Sequence, residues 1–168
     1  FNTRLSLSSS SVDEVIEKRV LAKNEEAASL LEMEYNKEQA VLKNLYTFSD
    51  SVLDIKGYTG AEEFAMTYPF VPYQFKIIQD VLSQIRKHGN SGKHLSSGER
   101  SMLSAFQEAA QKVQDKDETS LVPFYNFYDT VHTFLDSPIR RVIERCQSAA
   151  EHHDGIEPRD VDVLKLLY

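Results

Sequence analysis

YPFVPYQFKIIQDVLSQIRKHGNSGKHLSSGERSMLSAF, residues 68–106, decides the fold prediction because two helical patterns flank a basic, glycine-rich loop. Apolar residues of the first pattern recur every three or four positions, as on the buried face of a helix: Phe75, Ile78, Val81, Leu82 and Ile85. Pro72 suits the first turn of that helix, and Gly89 suits its end. The second pattern starts at Ser96 or Ser97 and contains Met102, Leu103, Phe106, Ala110 and Val113. We therefore predict two amphipathic helices joined by a loop.

The same start and stop signals recur along the chain and predict an all-α fold, with about seven helices in an irregular bundle. We find no alternating run that predicts a strand. Outside residues 68–106, the predicted helix starts are Ser11, Asn24, Thr59, Pro123, Ser137-Pro138 and Pro158.

Three of these helices carry more specific expectations. Ser11-x-x-Glu14 and Thr59-x-x-Glu62 have the spacing of capping boxes, in which the first residue caps the helix and the acid reaches back. The helix after Pro123 is expected to be continuous and to bury its aromatic face, up to Leu135. The helix after Asn24 is expected to turn one apolar stripe to the core: Ala27, Leu30, Leu31, Tyr35, Leu42, Leu45 and Tyr46.

Composition limits the class of protein. The chain has 168 residues, a net charge of −7 and a single cysteine, Cys146, which excludes an intramolecular disulfide and fits a reducing cytoplasm. Cys146 lies in an apolar helical pattern and is expected to be a small buried residue. No run of about 18 apolar residues predicts a membrane span, and no signal peptide opens the chain. Because the chain starts at Phe1 and ends on an apolar run, we expect it to be an internal piece of a longer protein.

The loop at residues 86–100 is basic, whereas the rest of the chain is acidic. Arg86, Lys87, Lys93 and Arg100 against Glu99 give it a net charge of +3, which leaves −10 on the remainder. The loop contains Gly92-Lys93, but position 87 is Lys where a phosphate-binding P-loop needs glycine, and a helix precedes it. We therefore do not assign a Walker A motif here.

Leu95-Ser96-Ser97-Gly98-Glu99 is close to the LSGGQ-type signature of ABC ATPases, in which amides at a helix start contact a nucleotide phosphate. Lys93 and Arg100 would add charge-assisted contacts. Ser96 and Glu99 also have the spacing of a capping box that starts an ordinary helix. Three interpretations stay open: helix capping alone, contact with an anion or nucleotide, and contact with a nucleic-acid backbone.

We identify no catalytic residues and no metal ligands. The five histidines have no partner His or Cys at zinc-ligand spacing, and no Gly-x-Ser-x-Gly elbow is present. The aromatic residues from Phe124 to Phe134 lack interleaved Lys or Arg, so we assign them to the core and not to base stacking. We expect this chain to catalyse no reaction and to hold no cofactor by itself.

Taken as blocks, residues 68–75 (YPFVPYQF) and 94–103 (HLSSGERSML) resemble the large P-loop ATPases of BREX phage-exclusion systems, the BrxC/PglY type. The resemblance implies that residues 1–155 form a helical lid or linker subdomain that follows an absent P-loop core. It implies that residues 156–168 start a following winged-helix domain. It also implies that ATP and Mg²⁺ belong to the parent protein.

The resemblance also implies a role for Arg19, because residues 5–21 match the point where the nucleotide-binding core gives way to its helical lid. An arginine there can reach a neighbouring subunit's ATP as an arginine finger. Arg4 is a weaker candidate of the same kind. The simpler interpretation of Arg19 is a surface ion pair with Asp13, Glu14 or Glu26.

The function expected from the resemblance is a non-catalytic helical region that couples nucleotide state to domain movement or assembly in bacterial antiviral defence, in the cytoplasm. Its partners would be the remainder of the ATPase, other defence-system proteins and possible DNA reached through the parent, with oligomerisation of the parent possible. Two alternatives stay open: a helical adaptor that binds proteins through an apolar groove, and DNA contact through residues 86–100.

Overall fold

The computed structural model describes residues 9–49, 54–88, 98–117, 120–135 and 137–167. All regular structure in these ranges is helical, so the predicted all-α class is confirmed. The eight α-helices within them are α1 (Ser9–Val15), α2 (Glu25–Leu45), α3 (Ala61–Thr67), α4 (Pro72–His88), α5 (Gly98–Gln111), α6 (Tyr128–Val131), α7 (Ser137–Glu151) and α8 (Pro158–Leu167). A π-helical turn (Ile16–Val20) extends α1, and 3₁₀ turns at Phe124–Phe127 and His132–Phe134 flank α6.

Helices α4 and α5 form the centre of the fold, and their predicted faces are confirmed. Phe75, Ile78, Leu82 and Ile85 are buried on α4. The buried residues of α5 and its end are Met102, Ala105, Phe106, Ala109 and Val113. Both faces meet in one apolar cluster, which also takes in Val12 and Ile16 from the first helix and Phe70, Val122, Phe127 and Val131 from the connections.

Gln74 is a fully buried polar residue that links two distant segments. Its Oε1 accepts a hydrogen bond from the Val71 amide at 2.9 Å, which satisfies a free N–H at the start of α4. Its Nε2 donates to the Val122 carbonyl at 2.7 Å, and the Val122 amide donates to the Pro69 carbonyl at 2.9 Å. The segment before the aromatic turns is thereby fixed against the start of α4.

The long helix α2 begins where predicted, because the Asn24 side chain accepts a hydrogen bond from the Ala27 amide at 2.8 Å. Its predicted stripe is wrong in part. Tyr35 is buried against the rings of Tyr58 and Phe64, at centroid distances of 6.2 and 5.5 Å, whereas Leu30 and Leu45 are exposed. The helix packs against α3 along one narrow side, so only part of the stripe is covered.

Two predicted capping boxes need correction. Helix α1 begins at Ser9, two residues before Ser11, so Ser11 lies inside the helix. At α3, Gly60 is the N-cap and makes no side-chain hydrogen bond. The acid that reaches back is Glu63 and not Glu62, because Glu63 Oε2 accepts from both the amide and the hydroxyl of Thr59, at 2.7 and 2.9 Å.

The aromatic segment after Pro123 is not the continuous α-helix that was predicted. It runs as a 3₁₀ turn, the short helix α6 and a second 3₁₀ turn. A 3₁₀ turn has three residues per turn and places side chains three apart on the same side. Phe124 and Phe127 are so placed, with ring centroids 5.4 Å apart, and both rings reach the core cluster.

Helices α7 and α8 build a second, smaller cluster around Tyr128, Ile143, Ala150 and Val161. Cys146 is a partly buried member of this cluster. Asp129 ties α8 to the rest of the fold, since it accepts from Lys112 of the segment after α5 and lies 3.4 Å from Lys165 Nζ of α8. Assignment of residues 156–168 to a following domain stays a prediction.

Candidate functional site

The basic loop that the sequence singles out lies largely outside the described residues. Lys93, Ser96 and Ser97 are among those not described, so their contacts stay predictions. Gly98 is the first residue of α5, and this helix begins directly after Ser97, where a helix start is predicted. At the described ends of the loop, Arg86, Lys87 and Arg100 are exposed.

Arg19 lies in the π-helical turn at Ile16–Val20, and its side chain is exposed. The predicted ion pair of Arg19 is wrong for the described residues. Glu14 pairs with Lys18 at 2.5 Å, the Asp13 carboxylate accepts from Gln79 Nε2 at 2.9 Å, and the ion pairs found there do not include Arg19. The turn itself packs against α5, so the elements that carry Arg19 and Arg100 are in contact. Arginine-finger chemistry at Arg19 stays a hypothesis.

The most prominent concave surface in the described residues is an apolar groove of about 790 Å³ beside α2. We call it the α2 groove. One wall is α2, the floor is the segment from the π turn to α2 together with Tyr68 and Pro69, and the other wall is the end of α5. Its lining residues are Val20, Leu21, Ala22, Lys23, Ala27, Leu30, Leu31, Met33, Glu34, Lys37, Tyr68, Pro69, Ala110, Val113, Gln114 and Lys116.

Lys23 is held at the floor of this groove by the end of α3. Its Nζ donates to the carbonyl oxygens of Met66 at 3.1 Å and Tyr68 at 2.6 Å. The last carbonyls of a helix have no partner within the helix and carry partial negative charge, so a lysine is a suitable cap. Burial nevertheless lowers the pKa of Lys23 to about 8, although the charge of Glu17 acts in the opposite direction.

The polar edge of the groove is mostly basic. Lys23, Lys37 and Lys116 line it together with one acid, Glu34, in a chain of net charge −7. Lys37 forms an ion pair with Glu34 at 2.9 Å on the same helix. Lys116 is exposed near the end of α5. The groove therefore offers an apolar surface with a positive edge.

Sequence reasoning did not find this groove as a specific site. The adaptor alternative requires an apolar groove, but its residues come from four separate parts of the chain. One signal was present: Leu30 and Met33 lie on a different side of α2 from Tyr35, which a single buried stripe does not explain.

No family model matches the chain, and no solved structure matches it. Among the described residues, no group of three or more His, Cys, Asp and Glu side chains is placed to hold a metal ion. A helix with the length and apolar character of a transmembrane span is likewise not found in this part of the chain.

Proposed function

We propose that this chain is a non-catalytic helical region of a large P-loop ATPase of the BREX phage-exclusion type. It would couple the nucleotide state of the parent to movement of attached domains or to assembly. What supports the proposal is the resemblance of residues 68–75 and 94–103. Phe70, Phe75 and Met102 from these blocks are buried in the core, so the likeness concerns residues that build the fold. This is an inference at the level of family.

In this proposal the parent binds ATP and Mg²⁺ through a core that lies outside this chain. The parent acts in the bacterial cytoplasm, alongside other proteins of the defence system, and any contact with DNA is made by the larger assembly. This chain supplies the helical connection, with Arg19 and Arg100 as its candidates for nucleotide contact.

The experiment that tests nucleotide contact is ATP turnover by the whole ATPase with Arg19→Ala or Arg100→Ala. An arginine finger contributes a factor of about 10³ or more to kcat, so loss of Arg19 should lower turnover by that order without unfolding the protein. Arg141→Ala is the matched control, since Arg141 is an exposed arginine on α7. Unchanged turnover in both test variants would remove the nucleotide-contact hypothesis.

The α2 groove favours a second candidate function, a helical adaptor that binds a protein without nucleotide. A helix laid in a groove buries one apolar face and leaves the other in solvent, which suits an open groove better than a small molecule does. A photo-crosslinking amino acid at Leu30, in the groove, should then capture a protein in cells. The same group at Val163, which is exposed on α8, should not. Equal capture from both positions would count against the adaptor function.

A further inference from the structure

Helix α2 carries an exposed apolar stripe in addition to its buried side. At 100° per residue, the four residues of the stripe fall within an arc of about 120°, on the side away from Tyr35. The stripe consists of Leu30 (59% exposed), Met33 (59%), Val41 (53%) and Leu45 (65%). Exposed apolar side chains that are scattered singly need no explanation, but a contiguous row on one helix marks an interaction surface.

The stripe and the α2 groove share residues. Leu30 and Met33 belong to both, because α2 forms one wall of the groove. From Ala27 to Lys37 this wall extends for about 15 Å along the helix axis. A helix that enters the groove would therefore cover the first half of the stripe and the floor at the same time.

The charges of α2 match those of the groove. Helix α2 itself is acidic, with five glutamates against two lysines: Glu25, Glu26, Glu32, Glu34, Glu38, Lys37 and Lys43. The groove edge has the opposite balance, with Lys23, Lys37 and Lys116 against Glu34. The chain thus contains both an acidic helix with an exposed apolar stripe and a groove that suits such a helix.

We propose that two copies of this chain associate, with α2 of each copy lying against the α2 groove of the other. Since α2 is also a wall of the groove, a single two-fold axis makes both contacts at once, as in an isologous dimer. The inference rests on the second candidate function, in that both use the groove, and it names the partner as a second copy. It does not depend on the ATPase proposal.

The expected association is weak. The contact is formed by one helix and a groove about 15 Å long, which is at the small end of specific interfaces. Area does not convert directly into affinity, and side chains such as Met33 and Lys116 must be ordered on binding. We expect a dissociation constant on the order of 10 µM, with weaker binding as salt screens the lysine edge.

Sedimentation of the chain from roughly 1 to 300 µM, at low and high salt, tests this directly. We expect a monomer–dimer equilibrium that weakens at high salt. Leu30→Glu should weaken it by about 30-fold or more, because it places a charge in the apolar contact. Lys116→Glu should weaken it by about 5-fold and reduce its dependence on salt. Val163→Glu is the matched control, since Val163 is 53% exposed on α8, and it should leave the equilibrium unchanged.

Leu30 and Lys116 are both exposed, so these variants should keep the helical circular dichroism and the unfolding midpoint of the parent chain. A chain that stays monomeric over the whole range overturns the proposal. So does a dimer that Leu30→Glu does not weaken, or that Val163→Glu weakens equally. A monomer whose crosslinker at Leu30 still captures a different protein would remove self-association and retain the adaptor function.

Discussion

Phe70 and Phe106 pack edge to face at the centre of the molecule, with ring centroids 4.7 Å apart and ring planes at 63°. Both side chains are fully buried, and both also contact Phe127, at centroid distances of 5.7 and 5.1 Å. The two ends of the stretch 68–106 therefore meet in space. This contact closes α4 and α5 around one aromatic centre.

Phe106→Ala should lower the free energy of unfolding by about 3–5 kcal/mol, because it leaves a cavity where three rings now pack. Phe106→Leu should cost less, about 1.5 kcal/mol, since it keeps most of the apolar volume. Urea unfolding followed by circular dichroism measures both. Met66→Ala, at an exposed apolar position, serves as control and should cost under about 0.5 kcal/mol. A Phe106→Ala cost no larger than that of the control would contradict the assignment of Phe106 to the core.

Gly57→Ala should destabilise the chain, whereas Gly60→Ala should have little effect. A Cβ at position 57 would lie 2.6 Å from the carbonyl oxygen of Tyr46, and at position 60 it would meet no atom within 4 Å. Because the clash at position 57 is with backbone, we expect a loss of about 1–3 kcal/mol for Gly57→Ala. For Gly60→Ala the loss should be about 0.5 kcal/mol, from the poorer N-cap. Thermal unfolding of the two variants compares them, and equal midpoints would show that the connector does not approach Tyr46 so closely.

Lys23 should react with acylating reagents at a lower pH than an ordinary lysine. Burial lowers the pKa of Lys23 to about 8, so about half of its amine is neutral and nucleophilic at that pH. Brief labelling with acetic anhydride across a pH series, read by mass spectrometry, should give a midpoint near pH 8. A free lysine derivative in the same tube is the reference. A Lys23 midpoint that coincides with the reference would mean that the amine is not desolvated.

The same burial has a consequence for stability. The pKa of Lys23 is lower in the folded than in the unfolded chain, so between pH 8 and about 10.5 the unfolded chain binds more protons at this residue. The contribution of Lys23 to the free energy of unfolding should therefore rise with pH over that window.

Asp129→Asn should destabilise the chain at neutral pH and have less effect in acid. Burial raises the pKa of Asp129, but the hydrogen bond from Lys112 and the charge of Lys165 outweigh it, so the pKa lies below its ordinary value. The stabilisation is present above the unfolded pKa of about 4 and is lost as pH falls through the lower folded pKa. Since the side chain is about half exposed, we expect a loss of about 0.5–1 kcal/mol at pH 7.

Urea unfolding of the parent chain and Asp129→Asn at neutral and mildly acid pH measures this difference. Asp54→Asn is the control, because Asp54 is an exposed acid that pairs only with the exposed Lys56. Hydrogen exchange in α8 should also speed up in the Asp129 variant and not in the control. A difference from the parent that does not shrink toward acid pH would show that the lysines do not act through the charge of Asp129.

Local patterns predicted most of the helices, because their signals lie within a few residues. Pro72 and Asn24 begin helices where proline and a capping side chain should, and the apolar spacing from Phe75 to Ile85 identifies the buried face of α4. The helix after Pro123 was wrong as a continuous helix, because 3₁₀ and α patterns differ little over four residues.

Contacts between distant segments could not be predicted in this way. Nothing near Gln74 indicates that Val122 will accept its hydrogen bond, and nothing near Lys23 indicates that the end of α3 will hold its amine. The α2 groove follows from the same kind of contact, since its walls and floor are distant in sequence. The predicted sites in residues 93–97 lie outside the described residues and stay predictions.

The π-helical turn at Ile16–Val20 places the amide of Leu21 on the carbonyl of Ile16, at 2.9 Å, five residues back and not four. Such a turn holds one residue more than an α turn. Deleting one residue there would rotate everything that follows by about 100° relative to Ile16. Leu21 would leave the core, and α2 would depart in another direction. The width of the cleft beside that helix is therefore governed by chain length at a single turn, so an insertion or deletion there would alter binding without touching a single lining residue.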